Sequence, residues 1–66
     1  MIVVVNGEER AAPAGATALA LLEMIGLPPG RVAVELNGRV LPRVDLMRVV
    51  LQERDRIEVV QFVGGG

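Results

Sequence analysis

The dipeptide Asn-Gly occurs twice, at Asn6-Gly7 and at Asn37-Gly38, and each copy follows a run of β-branched or alternating apolar residues. A two-residue hairpin turn that matches the twist of its strands needs positive φ at both central positions, which Asn followed by Gly adopts readily. The chain is therefore expected to hold two β-hairpins. Ile2 to Val5 turns back into a second strand near Glu8 to Ala12, and Val32, Val34 and Leu36 lead through the second turn into Arg39 to Leu41. Pro13 and Gly15 break the first pairing and Pro42 ends the second, because proline has no N–H to give to a ladder.

Between the hairpins lies TALALLEMIG. Thr17 suits an N-cap, and Ala18, Leu21, Leu22 and Ile25 fall on one helical face. Gly26 fits the position after the C-cap and Pro28-Pro29 forbids continuation. This predicts one short amphipathic helix of about Thr17 to Ile25. Its apolar stripe reads as core rather than a ligand box, and Thr17 as a cap rather than a catalytic hydroxyl. Beyond Pro42, VDLMRVVL suggests a helical turn capped by Asp45, with Leu46 and Val49 or Val50 pointing inward. ERDR then makes a polar turn, and Ile57 to Val63 forms the last strand. The order strand, strand, helix, strand, strand, strand specifies an α+β domain over 1–63, with one main helix covering one face of a four- to five-stranded sheet.

Sixty-six residues make one domain. A chain of that size buries only about 60% of the surface it exposes when unfolded. With no Cys and no His, neither disulfides nor a zinc site support it, so the 52% hydrophobic content must supply the core. Eight acids face seven bases, the bases (all Arg) are scattered, and Phe62 is the only aromatic. This is not the basic, aromatic-bearing surface of a nucleic-acid binder. No apolar run approaches the ~18–20 residues of a membrane span and no cationic apolar leader is evident, so a soluble cytoplasmic protein is expected. The only side-chain hydroxyl is that of Thr17, and Ser, Tyr and Lys are absent along with Cys and His. Nucleophilic or general acid–base catalysis lacks its usual residues, so the chain does not read as an enzyme.

The sequence ends on QFVGGG. A frayed end or a cloning remnant is the plain explanation of Gly64, Gly65 and Gly66, which have nothing to bury and lose much freedom when ordered. The alternative makes the terminal carboxylate the working group, carried into a partner on a flexible tail, 64–66. The preceding strand favours the second reading. If Ile57 and Val59 face the helix, then Val60 and Phe62 face away and form an exposed apolar pair just upstream of the tail.

Taken together, the first strand with Asn6-Gly7, TALALLEMI, VAVELNGRVLPR, DRIEVVQFV and the final Gly65-Gly66 resemble the thiamine-biosynthesis sulfur carriers, which are ubiquitin-like β-grasp proteins. The resemblance covers essentially the whole chain. The Gly-Gly end is common to all ubiquitin-like carriers, whereas VELNGRVLPR and IEVVQFVGGG are closer to the thiamine branch. Arg54 departs from the pattern, which often has Gly before Asp55, and leaves open either another turn type or a strained positive φ.

The resemblance implies a mixed β-grasp sheet and a cycle at the Gly66 carboxylate. An E1-like adenylating enzyme using MgATP would attach AMP, sulfur from a donor such as a cysteine desulfurase would replace it, and the thiocarboxylate would pass sulfur to thiazole synthase. No cofactor would be bound by the chain itself, which would be a monomer when free. Val60 and Phe62 would contact the adenylating enzyme. A sulfur carrier for molybdopterin, cysteine or tRNA thiolation, a ubiquitin-like protein modifier, and a ubiquitin-like binding module with incidental glycines stay open at this point.

Overall fold

A computed structural model describes residues 1–62. The domain boundary at 63 and the expected flexibility of Gly64, Gly65 and Gly66 lie outside the described residues.

Both Asn-Gly pairs form the turns that their composition demands, with φ of 49° and 83° at Asn6 and Gly7 and 52° and 85° at Asn37 and Gly38. The first joins β1 (Ile2–Val5) to β2 (Glu8–Ala11), and the second joins β3 (Val32–Leu36) to β4 (Arg39–Leu41). With β5 (Arg56–Gln61) they make one five-stranded sheet in the order β2-β1-β5-β3-β4. The β1–β5 pair is parallel and the other three are antiparallel, so the sheet is mixed. The β2 strand stops one residue short of expectation. Ala12 turns inward and is buried, and its N–H donates to the Met1 carbonyl at 2.9 Å.

Helix α1 (Ala18–Met24) is set at both ends by the expected residues. The Thr17 hydroxyl accepts from the Ala20 N–H at 3.1 Å, satisfying one of the donors left free in a first turn. At the other end Gly26 takes φ 77°, the Gly26 N–H donates to Glu23 and the Leu27 N–H to Leu22. That reciprocal pair is a Schellman closure. Ala18, Leu21 and Leu22 are buried and Ile25 is partly so, all packed with Val3, Val5, Val34, Ile57 and Val59 in one core. A single apolar stripe thus covers one face of the sheet.

The connection from β4 to β5 departs from the sequence reading. A 3₁₀ turn at Arg43–Asp45 begins directly after Pro42, so Asp45 closes the turn instead of capping it, and its carbonyl accepts from Arg48 and Val49. Leu46 is buried as expected. Of the two alternatives after it, Val49 is half-buried and Val50 is exposed, and Leu51 is buried beyond them. The reason is that residues 49–51 run extended against Ala16 to Ala18, with a bridge from Thr17 to Val50, and extended backbone alternates its side chains. Arg54 adopts φ 68°, so the strained alternative holds at that turn. Its N–H donates to the Ile2 carbonyl at 2.7 Å, and its guanidinium meets Glu9 at 2.6 Å. The Glu9 hydrogen bond, followed by its charge, holds the guanidinium pKa above its ordinary value. Among the described residues no helix is long and apolar enough to cross a membrane.

Candidate functional site

The strand that leads to the terminal glycines is the middle strand of the sheet, held between β1 and β3. Ile57 and Val59 point into the core beneath α1, and Arg56, Glu58 and Val60 point to the other face and are exposed. The strand register therefore agrees with the expected alternation. The strand ends earlier than expected, at Gln61, because its partner β3 begins at Val32, opposite Gln61. Phe62 follows, anchored by its N–H to the Arg31 carbonyl at 2.9 Å.

Cross-strand pairs define the outer face. Ala33 lies opposite Val60, Glu35 opposite Glu58, and Val40 opposite Glu35. Val40, Val60 and Phe62 are 72%, 63% and 60% exposed, high values for large apolar side chains on a domain this small. Val40 is a member of this surface that reasoning along β5 alone did not reach. Its signal was present in the sequence, since Asn37-Gly38 places Val40 two residues past the turn and hence opposite Glu35. Glu35 and Glu58 are a like-charged pair on adjacent strands, unfavourable in isolation. The face is thus apolar toward the end of β5 and acidic at its centre.

What holds β5 in place is not only strand pairing. The β1–β5 ladder covers two residue pairs, Val4 with Arg56 and Val5 with Ile57, and then β1 turns away. The Asn6 side chain takes over. Its Oδ1 accepts from the Val59 N–H at 2.8 Å and its Nδ2 donates to the Val59 carbonyl at 3.1 Å, as the next residue of a strand would. Asn37 does something similar at the other end of β5. Its Oδ1 accepts from the Arg56 N–H at 2.9 Å, and its Nδ2 donates to Asp55 at 3.0 Å. The sequence identified both asparagines by the backbone they allow, and the structure adds a use for their amides.

Chemically the described residues offer a scaffold. No group of three His, Cys, Asp or Glu side chains is close enough to hold a metal ion among them. Phe62, the last described residue, follows the middle strand of the sheet, with the exposed apolar Val60 two residues before it. Gly64, Gly65 and Gly66 lie outside the described residues.

The ThiS family model matches residues 3–66. A thiazole synthase from Magnetococcus marinus is 52% identical over 61 residues, 92% of this chain and 19% of that protein. A thiazole synthase from Paramagnetospirillum magneticum is 41% identical over the full 66 residues, 20% of its own length. The chain thus spans about a fifth of the length of these two relatives. Among solved structures, the crystal structure of the thiamine biosynthesis protein ThiS from Geobacter metallireducens superposes with a TM-score of 0.85 at 30% identity, covering both chains completely. The solution structure of a thiamine biosynthesis protein from the same organism gives 0.80 at 30% identity, over 100% of this chain and 88% of the other.

Proposed function

This chain belongs to the ThiS family and has its β-grasp fold, and on that premise we propose that it is a sulfur carrier of thiamine biosynthesis whose Gly66 carboxylate is the group on which sulfur is carried. In this reading an E1-like enzyme adenylates the carboxylate. The carboxylate oxygen attacks the α-phosphorus of MgATP and pyrophosphate leaves. A carboxylate is a poor electrophile, and the acyl adenylate gives its carbonyl carbon a good leaving group. The outer sulfur of a persulfide, as a donor such as a cysteine desulfurase carries it, then displaces AMP to give an acyl disulfide, and a thiol cleaves its S–S bond, releasing the thiocarboxylate and ending in a disulfide itself. Thiazole synthase consumes that sulfur. The nucleotide and metal belong to the partner enzyme, and this chain supplies the carboxylate and the body that delivers it.

The observation that carries the reading is the family match through Gly66, since it takes in the terminal Gly65-Gly66 together with the whole fold. The two relatives named thiazole synthase support the choice of sulfur acceptor. The physical argument agrees. A chain end entering an enclosed site must be thin, and glycine is the residue that allows close approach. Ordering Gly64, Gly65 and Gly66 costs about 3–6 kcal/mol of backbone entropy, so docking of the body must offset it. Val60 and Phe62 are the surface for that docking on the adenylating enzyme, with Val40 on the same face of the sheet two strands away. Intact-mass measurement of the protein isolated from its own cells tests the reading. A fraction with one oxygen replaced by sulfur, localised to the C-terminal residue, is expected; its absence in cells making thiamine would reject the proposal.

A further inference from the structure

Two carboxylates face each other at the centre of the outer sheet face. Glu35 of β3 and Glu58 of β5 are directly opposite in the antiparallel register, and both are exposed. Residues so placed hold their Cβ atoms about 4.5–5.5 Å apart, and like charges at that spacing destabilise the pair of strands. Among the described residues nothing relieves them. Neither carboxylate makes an ion pair, and Arg56, on the same face two residues before Glu58, makes none either.

The surroundings of the pair are apolar. Val40 of β4 lies opposite Glu35 on its other side, and Ala33 with Val60 is the next outward-facing pair along β3 and β5. All three are exposed, so a cation at position 33 or 40 would relieve the carboxylates at no cost to the core. The chain instead keeps two repelling charges beside exposed valines. A cation from outside reverses the balance. Both carboxylates attract it, and a partner that covers Val40 and Val60 shuts out water and strengthens that attraction.

We propose that Glu35 and Glu58 together hold one cationic side chain of the adenylating enzyme, which bridges the two strands while Val40 and Val60 pack around its stem. The inference rests on the carrier reading above and deepens it, adding to the apolar contact of Val60 and Phe62 the charge that selects the partner. Val60 belongs to both surfaces, so one partner covers both. A guanidinium fits best, because its planar fork offers donors along two edges, one for each carboxylate, and its stem suits an apolar surround. A metal ion does not fit. Two carboxylates on an open sheet face fall short of an oxygen shell, and among the described residues no third acidic group joins them.

The test uses the full chain and the purified adenylating enzyme of the same organism, with pyrophosphate release as the readout. Glu35→Gln and Glu58→Gln each keep the side-chain size and remove one charge. Glu8→Gln, an exposed residue opposite Val5 and so on the helix side of the sheet, controls for net charge. Each outer-face variant is expected to raise the KM for the carrier about fivefold with kcat unchanged, and to flatten the rise of KM with salt. Its Tm, read by far-UV circular dichroism, should be no lower than that of the unaltered chain, since a repulsion has gone. A structural role for the pair would lower Tm instead. A KM rise below about threefold in both outer-face variants, an equal rise for Glu8→Gln, or a rise that comes with a lower Tm overturns the inference and leaves the carrier reading intact. An unaltered chain that the enzyme does not adenylate overturns the carrier reading and this contact with it.

Discussion

Replacing Asn6 by glycine keeps the turn and removes the clasp on β5. Asn6 sits at φ 49°, which glycine adopts without strain, so the hairpin geometry survives the change. What disappears is the pair of hydrogen bonds to Val59, at 2.8 and 3.1 Å. Val59 is 8% exposed, and its N–H and C=O are left facing the place where β1 has ended. At about 1 kcal/mol net per bond, the loss is about 2 kcal/mol, and more if water cannot reach the freed groups. A domain of this size holds about 3–10 kcal/mol in total, so this is a large share. With 1 kcal/mol moving Tm by about 4–8 °C in a domain of 60–100 residues, Tm should fall by about 8–16 °C. The chain has no Trp or Tyr, so the melt is read by far-UV circular dichroism. Amide exchange at Val59 should accelerate beyond that at Ile57, which lies within the β1–β5 ladder. The matching change at Asn37 should cost less, because its side-chain bonds are exposed and water replaces them. A shift for Asn6→Gly below about 3 °C, or a larger one for Asn37→Gly, would refute the view that a side chain substitutes here for a missing strand residue.

Three further outcomes are expected. Leu21→Ala removes most of a fully buried side chain from the helix–sheet contact and should cost about 2–5 kcal/mol, enough to leave a substantial unfolded fraction in denaturant titrations at ambient temperature. Phe62→Ala should change stability by no more than about 0.5 kcal/mol, since the ring is exposed, yet raise the KM of the chain for the adenylating enzyme; an unfolded variant would instead make Phe62 part of the core. Deleting Gly66 moves the carboxylate by ~3.3–3.6 Å and Gly65→Val places a β-branched side chain beside it, so both should abolish ATP–pyrophosphate exchange. Normal exchange by both variants would remove the terminal glycines from the mechanism, and a parallel fall in Tm would assign the loss to folding.

Local rules made much of this domain legible. Asn-Gly specifies a turn through φ alone, and Thr17 and Gly26 satisfy helix ends through bonds that span a few residues, so each acts wherever the rest of the chain goes. The alternation of Ile57, Val59, Glu58 and Val60 likewise fixed which face of β5 is buried. The parts that were not legible depend on residues far apart in the chain. The local turn sets Val40 opposite Glu35, but its position relative to Val60 and Phe62 follows only from the pairing of β3 with β5. The direction of residues 49–51 is set by their bridge to Thr17, which turned an expected helical face into extended backbone, with Val50 outward and Leu51 inward. For the same reason the side-chain bonds of Asn6 to Val59 could not be read from the turn that placed them.

The parallel pairing of β1 with β5 has a consequence for the order in which the chain can mature. These strands are separated by some fifty residues, and the pairing closes the sheet only when both exist. Closing so long a loop delays the rewarding contacts, and topologies of this kind fold more slowly than local ones. During synthesis the two hairpins and α1 emerge first, but without Ile57 and Val59 their common core has a gap at its centre. The domain should therefore assemble only once β5 has left the ribosome, by which time the residues that follow are also on their way out. A nascent chain halted before Arg56 would expose that gap to proteases and chaperones, so ribosome-stalled intermediates should be sensitive to limited proteolysis until β5 is free. Completion of the core then waits on the last strand to be made.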